Sequence, residues 1–277
     1  MPCAGPDPRW PAVTGTGSAP APHGTAASVR SAVILAAGRG TRLAGHTGDR
    51  PKGFLKLGAR TIIEESIGRL EEAGIDDVLI VTGHCAGHYE ALAAERPVLI
   101  RTVHNPRFAE SGSMYSLYCA RTAIAGAFLL LESDLVYEPR ALDCLLGFPE
   151  ADAILLSGPT GAGDEVYVEA PGGRLRNMSK QRTELGSVAG ELVGISRISP
   201  ALYARMCGIA EQAFKASLRY DYETDCLVAA GREQAIACLL VPDLVWGEID
   251  DPSHLERVRT TVYPEVQRRS PGSADRP

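Results

Sequence analysis

The stretch AVILAAGRGTRLAGHTGDRPKGFLKL, residues 32–57, decides the fold of this chain. Its first six residues are apolar and lead into glycines, which predicts a buried strand of an α/β sheet. Gly38 and Gly40 lack a Cβ, so the backbone after the strand can turn tightly and approach a ligand closely. Exposed backbone N–H groups at the end of a strand are suited to binding phosphate.

Three cations, Arg39, Arg42 and Lys52, surround this glycine turn and favour an anionic ligand. A dinucleotide fingerprint G-x-G-x-x-G would need a glycine where the chain has Leu43, and a P-loop would need a Gly-Lys pair, which the sequence lacks. The spacing G-x-G-T-R followed by P-K instead resembles the signature of nucleotidyltransferases that join a nucleoside monophosphate to a sugar phosphate or alcohol phosphate. A glycine-rich turn that binds nothing is the alternative.

Composition narrows the class of protein. The chain has 277 residues, 45% of them hydrophobic, which is enough for one sizeable core. Its net charge of −6 argues against a nucleic-acid partner, whose phosphates attract Lys and Arg. The seven cysteines form no C-x-x-C pair, which favours a reducing, cytoplasmic location over a disulfide framework or a zinc site. No run of eighteen apolar residues predicts a membrane span.

Both ends of the chain have the composition of unstructured segments. Residues 1–28 are rich in Pro, Gly, Ala, Ser and Thr and have neither a basic start nor an apolar segment, so they predict a disordered leader or a misassigned start. Residues 266–277 predict a disordered tail. The domain is therefore expected to span residues 29–265.

The middle of the chain alternates between strands and helices. Buried strands are predicted at 32–37, 77–82, 98–103, 128–131 and 153–156, and helices at 61–73, 84–95 and 114–124. The first helix has a capping box, with Thr61 as N-cap and Glu64 three residues later. Such alternation indicates a doubly wound, mostly parallel sheet, in which ligands bind beyond the carboxyl ends of the strands.

The pattern changes after Pro159. A β-hairpin is predicted from 165–169 and 175–178, followed by a strand at 190–195, helices at 200–215 and 222–229, and strands at 235–241 and 245–249 that close the sheet. A last helix is expected over 251–259, with Asp251 as its N-cap. Residues 158–230 are interpreted as an insertion that covers the acceptor substrate.

Two aspartates follow predicted strands at the edge where the glycine turn lies. Asp134 comes after the apolar run 128–131, and Asp250 comes after 245–249. Carboxylates in ones and twos, completed by water and phosphate, are the ligands that Mg²⁺ prefers. The alternative for each is a helix N-cap, and Asp251 is the better cap candidate, which leaves Asp250 for a metal.

Three cations are candidates for the catalytic groups of nucleotidyl transfer. Lys52 would neutralise charge on the α-phosphate and Arg42 on the β- and γ-phosphates. Lys180 ends the predicted hairpin and could reach the phosphoryl group of the acceptor. The chain has four lysines among its 28 cations, so a lysine is the less expected choice for a generic surface charge. A solvated hairpin lysine is the alternative for Lys180.

The chain resembles the cytidylyltransferases that act on small phosphonates and on phosphocholine, a group of the MobA-like nucleotidyltransferases. The resemblance is closest to those that use 2-aminoethylphosphonate and covers nearly all of residues 31–263. The stretches that carry it are LAAGRGTRL, PKGFLKLG, VTGHC, SGSMYSL, LLLESDLVYE, GDEVYVEA, MSKQR, GELVGI, DYE and WGEIDDPSHLE.

The resemblance implies a GT-A-like, Rossmannoid nucleotidyltransferase that uses CTP. Asp134 and Asp250 would be its magnesium ligands, and Lys52 and Lys180 would contact phosphate. The nucleotide would be held by residues around the turn and the following strand ends: Leu35, Ala36, Ala37, Gly38, Arg39, Gly40, Thr41, Gly83, Ser111, Gly112, Ser113 and Glu132. The product would be CMP-2-aminoethylphosphonate.

The acceptor is left open by the residues themselves. A primary ammonium needs carboxylates, for which Glu165, Asp221 and Glu223 are the candidates. Choline would favour an aromatic cage, which Tyr167, Tyr220 and Tyr222 could supply. A neutral hydroxyethylphosphonate would need neither.

Other functions also fit the pattern. Phosphocholine and 2-hydroxyethylphosphonate are alternative acceptors, and a sugar-phosphate nucleotidyltransferase that uses another base is an alternative enzyme. A nucleotide-sensing protein without turnover is the alternative outside enzymes. A homodimer is possible.

Overall fold

A computed structural model describes residues 29–43 and 50–270 of the chain. The predicted leader, the last seven residues of the predicted tail and residues 44–49 of the loop after the glycine turn lie outside the described residues.

Eleven strands and eight α-helices make up the described chain. The strands are β1 Ser31–Ala36, β2 Asp77–Thr82, β3 Ile100–His104, β4 Phe128–Glu132, β5 Leu135–Tyr137, β6 Ala153–Ser157, β7 Tyr167–Glu169, β8 Asn177–Ser179, β9 Gly190–Ile198, β10 Ala237–Val241 and β11 Trp246–Glu248. The α-helices are α1 Ile62–Glu72, α2 Ala86–Glu95, α3 Ser113–Cys119, α4 Arg140–Gly147, α5 Pro200–Ala213, α6 Val228–Gly231, α7 Pro252–Arg257 and α8 Tyr263–Arg269.

Short helical turns complete the secondary structure. Four are 3₁₀ turns, at Thr41–Leu43, Lys52–Phe54, Pro171–Gly173 and Arg182–Glu184, and two are π-helical, at Tyr222–Leu227 and Val258–Val262. None of the helices in the described part of the chain is long and apolar enough to cross a membrane.

The central sheet has the strand order β10-β6-β9-β4-β1-β2-β3. β1 pairs in parallel with both β2 and β4, and the β2–β3 and β10–β6 pairs are also parallel. Only β9 runs antiparallel to its neighbours β4 and β6 along this path. The prediction of a mostly parallel, doubly wound sheet is confirmed, and so are the hairpin pairing of β7 with β8 and the second strand at its predicted bounds.

Alternate residues of β1 face two separate apolar layers. Val33 and Leu35 pack with α3, α5 and the Tyr222–Leu227 turn, whereas Ala32 and Ile34 pack with α1, α2 and α4. Each fully buried aliphatic side chain contributes about 1.5–3 kcal/mol relative to an exposed one. Burial on both faces is why the strand reads as an unbroken apolar run.

Part of the predicted insertion belongs to the core of the sheet. β9 occupies an interior position between β4 and β6, and α5 packs its residues Leu202, Met206 and Ala210 into one of the two apolar layers. The hairpin extends the sheet from β9, through the pairing of Tyr167 with Glu191. Residues 158–230 therefore do not form a separable unit, although the hairpin at their start projects toward the cavity described below.

Two predictions about the C-terminal third are wrong. The strand at Trp246–Glu248 does not close the central sheet, because it pairs antiparallel with β5 in a separate two-stranded sheet. Residues 266–269 are helical in α8, and Val266 is fully buried, so the predicted tail began too early. The helix predicted at 222–229 is confirmed, and it begins as a π-helical turn that continues into α6.

Some bounds and elements could not be anticipated from the pattern. α3 ends at Cys119, five residues before its predicted end, and β5, α4 and α8 were not predicted. β5 and α8 are buried by a third apolar cluster that joins distant parts of the chain, including Leu43, Ile62, Ile249 and Val262. Contacts between residues that are far apart in the sequence leave little pattern in the local sequence, so elements that depend on them are hard to predict.

The predicted capping box of α1 is confirmed. The Thr61 hydroxyl accepts a hydrogen bond from the Glu64 backbone N–H, at 3.3 Å, and the Glu64 carboxylate accepts one from the Thr61 N–H, at 2.7 Å. This cap fixes the start of the helix that leads away from the Lys52 segment.

We predict that Thr61→Ala lowers the free energy of unfolding by about 1 kcal/mol. The Glu64 N–H loses its side-chain acceptor, and the capping box is broken. The melting temperature should fall by roughly 2–4 °C in a thermal scan. Thr183→Ala is the matched control, since this exposed threonine lies in a 3₁₀ turn. Equal melting temperatures for the two variants would contradict the role of the cap.

Candidate active site

The glycine turn follows the carboxyl end of β1. Gly40 adopts a positive φ of 58°, and its carbonyl accepts the Leu43 N–H at 3.0 Å. A Cβ at Gly40 would also lie 3.2 Å from Cγ of Lys52, so the side chain of Lys52 packs directly over this glycine. Both the backbone conformation and the close contact explain why glycine is needed here.

The other predicted nucleotide-binding residues at this turn differ in their exposure to solvent. Leu35, Ala36 and Ala37 are buried, whereas Gly38, Arg39 and Thr41 are exposed. An exposed glycine backbone beside a buried strand is accessible to a ligand. That these residues hold the nucleotide stays a prediction.

Lys52 joins the two aspartates that were predicted to bind a metal. Its Nζ donates to Asp134 Oδ2 at 2.9 Å and to Asp250 Oδ1 at 2.5 Å. Arg42 contacts the other oxygen of Asp250 at 3.0 Å. Four residues that are up to 208 positions apart in the sequence therefore meet in one charged cluster.

The charges in this cluster shift one another's ionisation. Burial alone would lower the pKa of Lys52, but the charges of Asp134 and Asp250 outweigh it and raise the pKa above its ordinary value. Burial would raise the pKa of Asp250, but Lys52 and then Arg42 hold it below its usual range. The lysine is thus a cation and this aspartate an anion at neutral pH.

A second group of carboxylates adjoins this cluster. Ligand oxygens of Glu132, Asp134 and Glu248 lie within 4.8 Å of one another. Removal from water and mutual repulsion raise the pKa of both Glu132 and Glu248. Burial and the charge of Asp221 raise the pKa of Glu223 to about 7. Carboxyl groups whose pKa is raised in this way indicate a place where a positive charge is missing.

Hard oxygen donors in this arrangement could hold a divalent cation. Asp134 belongs to the group with Glu132 and Glu248, and Asp250 belongs to a second group with Asp164 and His254, whose ligand atoms also lie within 4.8 Å of one another. Since Lys52 contacts both Asp134 and Asp250, a cation shared by the two aspartates would take over the position of its ammonium.

A cavity of roughly 370 Å³ opens beside these clusters. It lies beyond the carboxyl end of β4, at the edge where ligands bind in such sheets. Its wall combines predicted and unpredicted residues: Arg42, Ser113, Glu132, Thr160, Asp164, Glu165, Lys180, Gly194, Asp221, Glu223, Thr224, Trp246, Glu248, Asp250 and Arg257 are among them. The volume suits a small polar molecule.

The four predicted acceptor residues have different surroundings. Glu165 and Glu223 line the cavity, and the hydroxyl of Tyr167 donates to Glu165 at 3.4 Å from outside the wall. Asp221 lines the cavity too, but it is a helix N-cap, because its Oδ1 accepts from the N–H groups of Glu223 and Thr224 at 2.9 Å each. Its Oδ2 accepts the Ser113 hydroxyl at 2.7 Å, so the contacts of this carboxylate are already made within the protein.

The SGS segment, residues 111–113, is tied to the loop that carries Asp221. A Cβ at Gly112 would lie 2.5 Å from the carbonyl oxygen of Tyr220, so only glycine allows this close approach. Ser113 lines the cavity, while the Ser111 hydroxyl accepts from the Asn105 amide at 3.0 Å. The segment positions the acceptor-side loop, and its predicted contact with base and ribose stays a prediction.

Gly83 has a similar packing role beside the glycine turn. A Cβ there would lie 2.7 Å from the carbonyl oxygen of Ala37 and 2.6 Å from Cβ of Phe108. The carboxyl ends of β1 and β2 can therefore approach each other closely at the predicted nucleotide side.

Sequence reasoning missed several residues of the wall. Glu248 ends β11 and stands two positions before Asp250. In an extended chain, side chains two residues apart point to the same face, so this spacing could have indicated Glu248 as a neighbour of the predicted metal ligand. Trp246 continues the same alternation and donates to Ser157 Oγ at 2.8 Å. Thr160, Asp164 and Arg257 carry no local pattern, because loop and helix packing alone bring them to the cavity.

The family model described as the MobA-like NTP transferase domain matches residues 32–240. The CMP-5'-(3-aminopropyl)phosphonate synthase of Streptomyces rubellomurinus is 31% identical over 239 residues, which are 80% of this chain and 37% of that protein. The 2-aminoethylphosphonate cytidylyltransferase of Lancefieldella rimae is 28% identical over 200 residues, 69% of this chain and 76% of that protein.

The chain spans well under two thirds of the first of these relatives. Among solved structures, the inositol-1-phosphate CTP transferase from T. maritima has a TM-score of 0.75 at 19% identity, covering 88% of this chain and 97% of that one. The CTP:phosphocholine cytidylyltransferase from Streptococcus pneumoniae has a TM-score of 0.65 at 20% identity, covering 83% and 98%. These likenesses show the fold. With the family match over three quarters of its length, the chain belongs to the MobA-like NTP transferase family.

Proposed function

We propose that this protein transfers CMP from CTP to a small aminoalkylphosphonate, with 2-aminoethylphosphonate as the first candidate, giving CMP-2-aminoethylphosphonate and pyrophosphate. The observation that carries the proposal is the group of clustered carboxylates, Glu132, Glu248 and Glu223, beside the Lys52–Asp134–Asp250 cluster. The names of the two relatives described above agree with it.

The transfer needs positioning and charge stabilisation more than covalent help. A phosphonate oxygen of the acceptor forms a new bond to the α-phosphorus of CTP, the bond from that phosphorus to the bridging oxygen breaks, and pyrophosphate leaves with the electron pair. In the proposal, Lys52 stabilises charge on the α-phosphate and Arg42 on the departing phosphates. Both cations lie at the glycine turn, where the triphosphate would be held.

Mg²⁺ is the cofactor that this donor set fits. Asp134 and Asp250 supply hard, anionic oxygens, and Glu132 and Glu248 lie next to Asp134. The bound cation would withdraw charge from the phosphate oxygens that contact it. Lys52 would then turn from the aspartates toward the phosphate. Its side chain packs against Gly40, so it already lies next to the glycine turn where the phosphates would bind.

The carboxylates favour a primary ammonium over the other two acceptors. Three acidic groups with raised pKa values would each be stabilised in their charged form by a nearby cation that donates hydrogen bonds. Trp246 is the single aromatic residue among the described residues that line the cavity, whereas a choline cage uses several aromatic rings. A neutral hydroxyethyl group would leave the charges unpaired.

The choice of substrates can be tested directly. With Mg²⁺ present, pyrophosphate release should be fastest with CTP and 2-aminoethylphosphonate in a panel of four nucleoside triphosphates against that acceptor, 3-aminopropylphosphonate, 2-hydroxyethylphosphonate and phosphocholine. A preference for phosphocholine or a sugar phosphate would replace the proposed acceptor. CTP binding by calorimetry without turnover on any acceptor would favour a nucleotide-sensing protein.

The second prediction concerns the aspartates. Asp134→Asn should reduce pyrophosphate release by roughly 100-fold or more, because an amide oxygen carries no charge for a cation. Asp143→Asn, an exposed aspartate of α4, is the matched control and should keep the wild-type rate. Full activity of Asp134→Asn would remove this residue from the metal site.

The third prediction concerns pH. Because the pKa of Glu223 lies at about 7, the carboxyl is protonated below that pH and cannot pair with an ammonium, so affinity for 2-aminoethylphosphonate should rise between pH 5.5 and 8. Ethylphosphonate, which lacks the amine, reports the titration of the phosphonate itself and serves as the reference ligand.

Subtracting the ethylphosphonate profile should leave a rise that Glu223→Gln abolishes and that Glu256→Gln, an exposed glutamate of α7, retains. Calorimetric titrations at six pH values are sufficient. Identical difference profiles for wild type and Glu223→Gln would show that another group recognises the amine.

A further inference from the structure

Arg257 differs from the other arginines that line or surround the site. It is the last residue of α7, its side chain is partly buried, and it forms part of the cavity wall. Its Nε is fully buried and has no hydrogen-bond partner in the described residues. Arg42, by contrast, pairs with Asp250.

No ion pair or hydrogen bond joins the Arg257 guanidinium to a carboxylate within residues 29–43 and 50–270. Burial raises the pKa of Glu191, and the charge of Arg257 opposes that increase. The Glu191 carboxylate is already occupied, because one of its oxygens accepts the N–H and the hydroxyl of Thr160 at 2.8 Å each. The buried Nε lacks an acceptor while the rest of the side chain lines the cavity, an arrangement that suits an anion supplied from outside.

The position of Arg257 indicates which anion this is. A Cβ at Gly247 would lie 3.2 Å from its Nη2, so the guanidinium rests against the strand that also carries Trp246 and Glu248. This is the wall of the cavity that bears the carboxylates, and it belongs to β11 and α7. The triphosphate cations Arg42 and Lys52 belong instead to the glycine turn and the 3₁₀ turn after it.

We propose that Arg257 is a specificity-determining residue that binds the phosphonate group of the acceptor, with Lys180 as the second cation of the same subsite. Lys180 lines the cavity from the end of the β7–β8 hairpin. Together they give the acceptor subsite fixed positive charge next to the carboxylates, which matches a zwitterion with an anionic and a cationic end. The inference rests on the proposed function, since it names the groups that recognise the acceptor.

The fork of the guanidinium gives this contact its geometry. Two N–H groups of arginine can donate in parallel to two oxygens of a tetrahedral oxyanion, whereas a lysine ammonium makes a single-point contact. Loss of a charged hydrogen-bonding partner of this kind weakens binding by roughly 10- to 100-fold. Arg257→Lys should therefore recover only part of the affinity that Arg257→Gln loses.

The test uses binding and does not depend on turnover. Methylphosphonate, 2-aminoethylphosphonate and CTP with Mg²⁺ are titrated by calorimetry into the wild-type chain, Arg257→Gln, Arg257→Lys and the control Arg259→Gln. Arg259 is exposed, lies two residues further along and is not part of the cavity wall. Each phosphonate is measured with and without α,β-methylene CTP and Mg²⁺.

We expect Arg257→Gln to weaken both phosphonates by roughly 10- to 100-fold, with CTP affinity and the Arg259→Gln values unchanged. Unchanged phosphonate affinity in Arg257→Gln, in both nucleotide states, would overturn the inference. A loss of CTP affinity equal to the loss for the phosphonates would also overturn it, by assigning the guanidinium to the triphosphate.

A wild-type measurement covers the case in which the variants fold poorly. In isotope-labelled wild-type protein, the Nε–Hε signal of Arg257 is assigned through the Arg257 backbone amide, and methylphosphonate should shift this signal. An unmoved signal at saturating methylphosphonate would overturn the inference. If the proposed function fails, with no pyrophosphate released on any acceptor, these binding results still decide the role of Arg257.

Discussion

The salt bridges from Lys52 to Asp134 and Asp250 hold three separate parts of the chain in one place. The lysine comes from the segment after the glycine turn, the first aspartate from the end of β4 and the second from the end of β11. β4 belongs to the central sheet and β11 to the small two-stranded sheet, so these charges connect two sheets that share no backbone ladder. The third apolar cluster includes Ile249, which precedes Asp250 in the chain, and Val136, two residues after Asp134, so apolar packing adjoins the same junction.

Cations pair with some of the carboxylates around this junction and not with others. The aspartates have cations as partners, whereas Glu132, Glu248 and Glu223 are buried beside other carboxylates, so burial and then the neighbouring negative charges raise their pKa values. A folded protein tolerates such repulsion only where the surrounding structure holds the groups in place. Here the ends of β4 and β11 and the helix cap at Asp221 do so. A cation bound among these carboxylates would relieve this repulsion.

The sequence predicted well those features that local patterns encode. β1, the capping box of α1, the hairpin and the acids at strand ends depend on short-range periodicity and on turn chemistry, and all were identified. The place of β11 was predicted wrongly, because a three-residue strand does not specify its partner. α8 was missed because its burial depends on Val136, Ile249 and other residues far along the chain.

The site divides in the same way. Residues next to a recognisable motif, such as Lys52, Asp134, Glu223 and Asp250, lie in the charged cluster or in the cavity wall, and their roles stay predictions. Arg257 has no such motif and reaches the cavity because α7 packs against β11. Asp221 was predicted to contact the acceptor; it lines the cavity, and it also caps the helical turn that follows it. Both roles need a carboxylate after a loop. A single sequence cannot distinguish the two, because the difference lies in the direction of the backbone N–H groups that follow.

The interior position of β9 affects how the chain reaches this structure. During synthesis, β4 and β6 emerge before residues 190–198 and cannot pair with each other in the final order. Until β9 arrives, each presents an open, apolar edge of the kind that pairs with other chains. Closure of the sheet, and with it the meeting of the glycine turn with the acceptor side, is therefore a late and non-local step, which slows folding and makes nascent chains dependent on protection from aggregation.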